Sequence, residues 1–273
     1  MTTGRTIDEL RHKARWVTRE LLGVHRVAPE TRLASSLSAV EIFVVLYYGG
    51  ILRFDPRNTA WEGRDRFIIS KGHGAISMYP ILADLGFFDK NELTGVCREG
   101  SFLGGIPDPI IPGFETVNGS LGHGIGVGCG MAVALKRKKS DVNVFVLTGD
   151  GELYEGSNWE ALMFAGHHGL DNVTLIVDFN KICMLGRCSD IIDLAPLAGK
   201  LAAFGWDARE IDGHDIASIR SALEWAAKTR DGRPKAIVAH TIKGHGSKKL
   251  EESTLSHVLS LTSDEIDELL GTM

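Results

Sequence analysis

Cysteine is scarce in this chain of 273 residues: Cys97, Cys129, Cys183 and Cys188 are the full set, and no two stand in CxxC spacing. That excludes a disulfide-dense secreted scaffold and fits reduced thiols in a cytosol. Long apolar runs are missing too. None approaches the ~20 residues a membrane-crossing helix needs, and the opening MTTGRTIDELRHKARW is polar and charged where a signal peptide would be apolar. Basic residues are slightly outnumbered by acidic ones. A net charge of −5 and a pI near 6.1 give no general attraction to nucleic acid or anionic lipid, which leaves room only for a local basic pocket. Internal repeats and low-complexity tracts are absent. What remains is 44% hydrophobic and 24% charged residues, the composition of an ordinary globular protein. The expectation is a soluble, cytoplasmic chain with no nucleic-acid and no membrane partner.

Periodicity divides the chain into elements. Leu10, Ala14, Val17, Leu21 and Val24 recur at helical spacing between Ile7 and Arg26, and a second helix is expected from Ser38 to Gly49 with Ser38 as its cap. RFIIS (66–70) reads as a short buried strand that stops at the turn Lys71-Gly72-His73-Gly74. Residues 103–120 are rich in Gly and Pro and form a long loop, which is uncommon unless it is used. A small-residue helix follows to about Lys136. From there strands at 142–149, 172–180, 206–212 and 234–242 alternate with helices at 157–168, 194–204 and 216–228. Near-continuous apolar strands separated by helices predict an α/β fold: a doubly wound, mostly parallel sheet with helices on both faces. One domain over 1–273 is expected, its last ~25 residues forming a carboxyl-terminal extension.

Ligands of such folds bind beyond the carboxyl ends of the strands, and two suggestive segments fall there. Gly149-Asp150-Gly151 follows one strand; its glycines let backbone N–H groups come close to an anion, and Asp150 offers a hard oxygen to Mg²⁺ or Ca²⁺. Asn180 ends the next strand, thirty residues on, where it could add a second oxygen ligand to the same ion. A triplet this short also serves as a solvated turn with an aspartate cap.

GDG followed after about thirty residues by Asn resembles the thiamine-diphosphate motif, and the wider sequence resembles the transketolase family. WEGRDRFIISKGHG (61–74), NGSLGHGIGVGCGMA (118–132), VLTGDGELYEGSNWEA (146–161), LDNVTLIVDFN (170–180), FGWDAREIDGHD (204–215) and AHTIKGHG (239–246) carry that resemblance in order and spacing. It implies that thiamine diphosphate is held through Mg²⁺ or Ca²⁺ by Asp150, Asn180 and the carbonyl of Ile182. Gly149, Gly151 and Glu152 would belong to the cofactor loop, with the Gly151 N–H on a phosphate. His73 and His257 would touch the diphosphate, although the family's Trp-His-Gly is Ser256-His257-Val258 here. Gly119, Ser120 and Leu121 would lie along the aminopyrimidine. Glu155 and Glu160 match family acids at a subunit interface that link paired cofactors through protons. Near a helix start, acids also complement the helix dipole with no catalytic duty.

The family's activating glutamate lies on a second, pyrimidine-binding domain that this chain does not include. The resemblance therefore implies a carboxyl-terminal partner subunit carrying that domain, in a heterotetramer of two copies each. Two positions depart from the family. A histidine that contacts donor hydroxyls becomes Arg32, and a second becomes Ile106. Guanidinium only donates and isoleucine does neither, so the donor is expected to differ from the ordinary ketose phosphate. It would be an acidic compound held by Arg32, or a deoxy donor such as pyruvate that tolerates Ile106. The leading expectation is transfer of a two-carbon ketol unit from a donor ketose to an aldose or aldehyde. The alternatives are a decarboxylating carboligase resembling deoxyxylulose-phosphate synthase, and a cofactor-binding scaffold subunit without catalytic duty.

Overall fold

The computed structural model describes residues 4–273; the first three residues of the polar start lie outside the described residues. Helices α1 (Ile7–Val27), α2 (Leu33–Leu37) and α3 (Val40–Tyr48) come first, then strand β1 (Arg66–Ile69) and α4 (Met78–Leu85). After the long loop follow α5 (Gly124–Arg137), β2 (Val144–Gly149), α6 (Gly156–His167), β3 (Val173–Phe179) and α7 (Leu197–Ala203). The chain then forms β4 (Asp207–Asp212), α8 (Ile216–Lys228), β5 (Lys235–His240), α9 (Lys248–Glu251) and α10 (Ser263–Thr272). The strands form one parallel sheet in the order β1-β2-β3-β5-β4.

Each central strand is apolar on both sides because both sides are covered. Phe145 and Leu147 of β2 face the core shared with α1, α3, α4 and α8, whereas Val144 and Val146 face the core built with α5, α6 and α7. The edge strand β4 is the exception: Arg209, Glu210 and Asp212 are exposed, charge that discourages pairing with another chain. The small-residue helix α5 sits unusually close to the sheet. A Cβ on Gly124 would lie 2.3 Å from Ser70 Oγ, and one on Gly128 would lie 2.7 Å from Val146 Cγ2.

Helix α1 begins at Ile7 because Thr6 and Glu9 form a capping box, with the Glu9 N–H donating to Thr6 Oγ1 (3.3 Å) and the Thr6 N–H to Glu9 Oε2 (2.7 Å). The expected cap at Ser38 is corrected: α3 starts at Val40, and Ser38 ends α2 instead. Its hydroxyl donates to Asp178 Oδ2 (2.6 Å), a buried carboxylate that competes better for it than a helix terminus does. The last 25 residues pack on the domain. Leu261 and Ile266 join the core around α1, and the Leu261 N–H donates to buried His25 Nε2 (3.4 Å). No helix among the described residues is long and apolar enough to cross a membrane.

Candidate active site

Strands β1, β2, β3 and β5 are neighbours, so the segments leaving their carboxyl ends converge. These are Lys71–His73, Asp150–Glu152, Asn180–Met184 and Thr241–Lys243. Over them lies a cavity of about 210 Å³ whose walls include His73, Asp150, Asn180, Ile182, Lys243 and His257. Leu121, Gly149, Gly151 and Glu152 also line it. A larger cleft of about 480 Å³ near Gly50, Trp61 and Arg220 opens beside Asn143, at the amino end of β2. Parallel α/β sheets do not bind ligands at that end.

Oxygen donors converge in the smaller cavity. Asp150 Oδ1 accepts from the Gly151 N–H (2.8 Å) and Oδ2 from the Lys181 N–H. Burial and then the nearby Asp178 charge push the Asp150 carboxyl above the usual carboxylate range, against those two N–H groups and Lys243. Asn180 is oriented from behind: its Nδ2 donates to Asp178 Oδ2 (3.2 Å) while Oδ1 accepts from the Ile182 N–H (3.1 Å). The Ile182 carbonyl accepts from the Lys243 ammonium (2.7 Å), so this cluster of oxygens already faces a cation. Cys188, pushed up to about 12 by burial and the Asp150 charge, stays a neutral thiol. The converging donors on Asp150, Asn180 and the Ile182 carbonyl are all oxygens, a hard set that suits Mg²⁺ or Ca²⁺. The main chain is close-set as well: a Cβ on Gly151 would lie 2.8 Å from Cys183 Cβ.

His73 and His257 face each other with ring centroids 4.9 Å apart. Burial, then the charge of Lys71, brings His73 down to about 2; burial, then Lys243, then Arg32, brings His257 down to about 4. Rings held that low are uncharged near neutral pH and offer hydrogen bonds, while Lys243 places a cation beside them. Lys243, lowered to about 8 by burial and by Lys71, donates to Ile182 O and meets His257 Nδ1 at 3.1 Å.

Beneath the cavity is an ion pair that the sequence reading missed. Buried Lys71 donates to Asp178, to Ser35 O (3.0 Å) and to Ser38 Oγ (3.3 Å). Burial alone would raise the Asp178 carboxyl, but the Lys71 charge and donors from Lys71, Ser38 and Thr241 outweigh it and hold it below the usual range. A signal was present: one aspartate inside LIVDFN must find partners once the strand is buried. Lys71 stands in SKGHG and Lys243 in HTIKGHG, both at strand ends.

Other expected residues fall outside the cavity or are engaged elsewhere. Gly119 and Ser120 are exposed on the loop just before Leu121; Glu155 is exposed at the N-cap of α6 and Glu160 in its second turn. Glu152 lines the cavity, but its carboxylate is engaged by the Ser70 hydroxyl and by the N–H groups of Gly122 (3.0 Å) and Gly149 (3.2 Å), so it ties the loop to two strands. Ile106 is exposed beside Gly72, and Arg32 is exposed close enough to bear on His257. Trp159 anchors to Leu153 O (2.8 Å) and packs on Phe204, as a core residue does.

Residues 28–272 match the family model described as transketolase, thiamine diphosphate binding domain. The chain belongs to the transketolase family. Its relatives include the 6-deoxy-6-sulfo-D-fructose transketolase subunit of Clostridium sp. (strain MSTE9), 37% identical over 94% of this chain and 93% of that one. Another is an apulose-4-phosphate transketolase subunit of Actinobacillus succinogenes, 38% identical over 95% of this chain and 94% of that one. The transketolase structure from Leishmania mexicana superposes with a TM-score of 0.89 at 27% identity, covering 98% of this chain and 41% of that chain. The present transketolase-family chain thus spans about two fifths of the solved enzymes it matches.

Proposed function

We infer that this chain is the diphosphate-holding subunit of a two-part transketolase, active when a partner subunit supplies the pyrimidine-binding domain. One observation carries the reading: Asp150, Asn180, the Ile182 carbonyl, Lys243 and two neutral histidines line one small cavity at four adjoining strand ends. The subunit names of relatives matched over nearly their full length support the partner, which would assemble as two copies of each chain. When bound, thiamine diphosphate supplies the carbanion chemistry of two-carbon transfer.

The protein's share is binding and orientation. Asp150, Asn180 and the Ile182 carbonyl would hold Mg²⁺ or Ca²⁺, leaving Lys243 to face the diphosphate. An ion on the Asp150 carboxylate would also free the Gly151 N–H for a phosphate oxygen. His73 and His257 would add neutral N–H donors, and Gly119 to Leu121 would flank the aminopyrimidine. Glu155 and Glu160, exposed on α6, fit a contact with the second half-site of the assembly rather than with the coenzyme. Residues 1–273 would act as one domain of a cytoplasmic enzyme of carbohydrate metabolism.

Arg32 and Ile106 bear on the donor. Both are exposed, Ile106 beside Gly72 and Arg32 near His257, one a permanent cation and the other apolar, and the relatives' names carry 6-deoxy-6-sulfo-D-fructose and apulose 4-phosphate. A donor with an acidic group on Arg32 and no hydroxyl opposite Ile106 fits best. Steady-state assay of the assembled pair with xylulose 5-phosphate and with pyruvate tests this. The expected result is weak turnover of the ketose phosphate, and efficient turnover with pyruvate inert overturns the altered donor. Release of CO₂ from pyruvate would select the decarboxylating carboligase, whereas failure of the pair to bind thiamine diphosphate would leave only a scaffold.

A further inference from the structure

Outside the cavity, Glu41 of α3, His214 after β4 and His245 after β5 bring their polar atoms within 4.8 Å of one another. The spacing invites a metal, but the hydrogen bonds exclude it. His214 Nε2 accepts from the Ile242 N–H (2.9 Å), so the ring proton is on Nδ1, which faces Glu41 Oε2 at 3.1 Å. With one nitrogen donating and the other accepting, the neutral imidazole has no lone pair left for an ion. His245 stacks on the same ring, with centroids 3.7 Å apart and planes 23° from parallel, so in-plane lone pairs of the two rings run side by side and do not converge.

What the arrangement does fix is the backbone at Ile242, the residue between Thr241 and Lys243. Thr241 is tied inward by its hydroxyl on Asp178. Ile242 is tied outward by its N–H on His214, whose own backbone N–H donates to Asp212 Oδ1 (2.8 Å). Lys243, next along, reaches Ile182 O at 2.7 Å. We propose that His214, held in one tautomer by Glu41, is a positioning residue that clamps the Thr241–Lys243 turn so that the Lys243 ammonium stands over the diphosphate pocket. It touches neither coenzyme nor substrate and acts through Lys243 alone. The inference rests on the reading that this pocket takes thiamine diphosphate.

The test is a double-mutant cycle on thiamine diphosphate affinity, measured by calorimetry at saturating Mg²⁺ on the chain paired with its partner subunit. His214→Phe keeps a ring to stack on His245 and loses both hydrogen bonds. Its dissociation constant is expected to rise about three- to tenfold, the usual worth of one or two hydrogen bonds. His214→Gln keeps an acceptor for the Ile242 N–H and should bind within about twofold of wild type. In a Lys243→Met background, His214→Phe should cost less than about twofold, because the residue it positions is gone. An equal cost in both backgrounds, or equal loss with Phe and Gln, overturns the proposal. Glu41→Leu leaves the imidazole in place and removes the carboxylate on its Nδ1 side, one of the two partners that set its tautomer and orientation. It serves if the Phe variant does not fold: about a two- to fivefold loss supports the clamp, and unchanged binding overturns it. Failure of the wild-type pair to bind the coenzyme would instead count against the functional reading.

Discussion

At Asp178 four side chains meet one carboxylate: Lys71 donates from below, Ser38 and Thr241 from the flanks, and Asn180 from the cavity side. This buried aspartate both orients Asn180 and anchors the Lys243 turn through Thr241. Its attraction for Lys71 offsets the desolvation of two charges only while both are present. Lys71→Met should therefore cost about 3–5 kcal/mol of folding stability, read as a lower midpoint of urea unfolding. A loss below about 1 kcal/mol, the range of surface ion pairs, would show that the pair is not a buried charge contact. No short motif announced this pair, because its members are 107 residues apart and meet only when β1 and β3 fold around β2.

Among the elements, α5 shows how composition sets distance. Glycines at 124 and 128 let the helix lie against Ser70 and Val146, and this holds the preceding Leu121–Gly122 segment at the cavity rim. Gly124→Ala has no room without moving Ser70, which also carries the Gly124 N–H (3.0 Å) and Glu152. Overpacking of this kind costs about 1–3 kcal/mol, so the melting temperature should drop by several degrees; an unchanged value would mean the helix can shift freely. Elements were the most legible level of the sequence. The strands and the helices between them fall where continuous apolar runs and helical spacing put them, since sustained patterns outweigh local noise. Helices α2, α4, α9 and α10 have no counterpart in the sequence pattern, and Ser38 caps no helix start, because short elements are decided by what they pack on. In the site, strand-end motifs exposed Asp150 and Asn180, and the family resemblance supplied His73, His257 and Ile182. Lys71, Asp178 and the His214 clamp needed three-dimensional neighbours to be seen.

For the whole molecule, histidines wholly or partly buried tie stability to pH. Burial is the main cause lowering His25 and His245 from the ordinary histidine value near 6.5, and it brings His73 further, to about 2. The sign follows from linkage: as pH falls through about 6.5 the unfolded chain takes up protons at these sites while the folded chain does not. The stability these rings contribute is therefore full above about pH 7 and falls steadily as the solution is acidified toward their folded-state values. The melting temperature should drop by about 5 °C or more between pH 7.5 and 5.5, with a shallower slope in His25→Gln. A flat profile over that range would mean these rings already titrate as they do in the unfolded chain.

The central claim is that oxygens on adjoining strand tips grip a divalent ion, which holds a diphosphate among Lys243 and two neutral histidines. Calorimetric titration of thiamine diphosphate with Mg²⁺ into the assembled pair, wild type against Asp150→Ala, tests it most directly. The account predicts a loss of at least about tenfold to hundredfold in affinity, the scale seen when a metal site is disturbed, with secondary structure by circular dichroism unchanged. Equal affinity in the two proteins would contradict it.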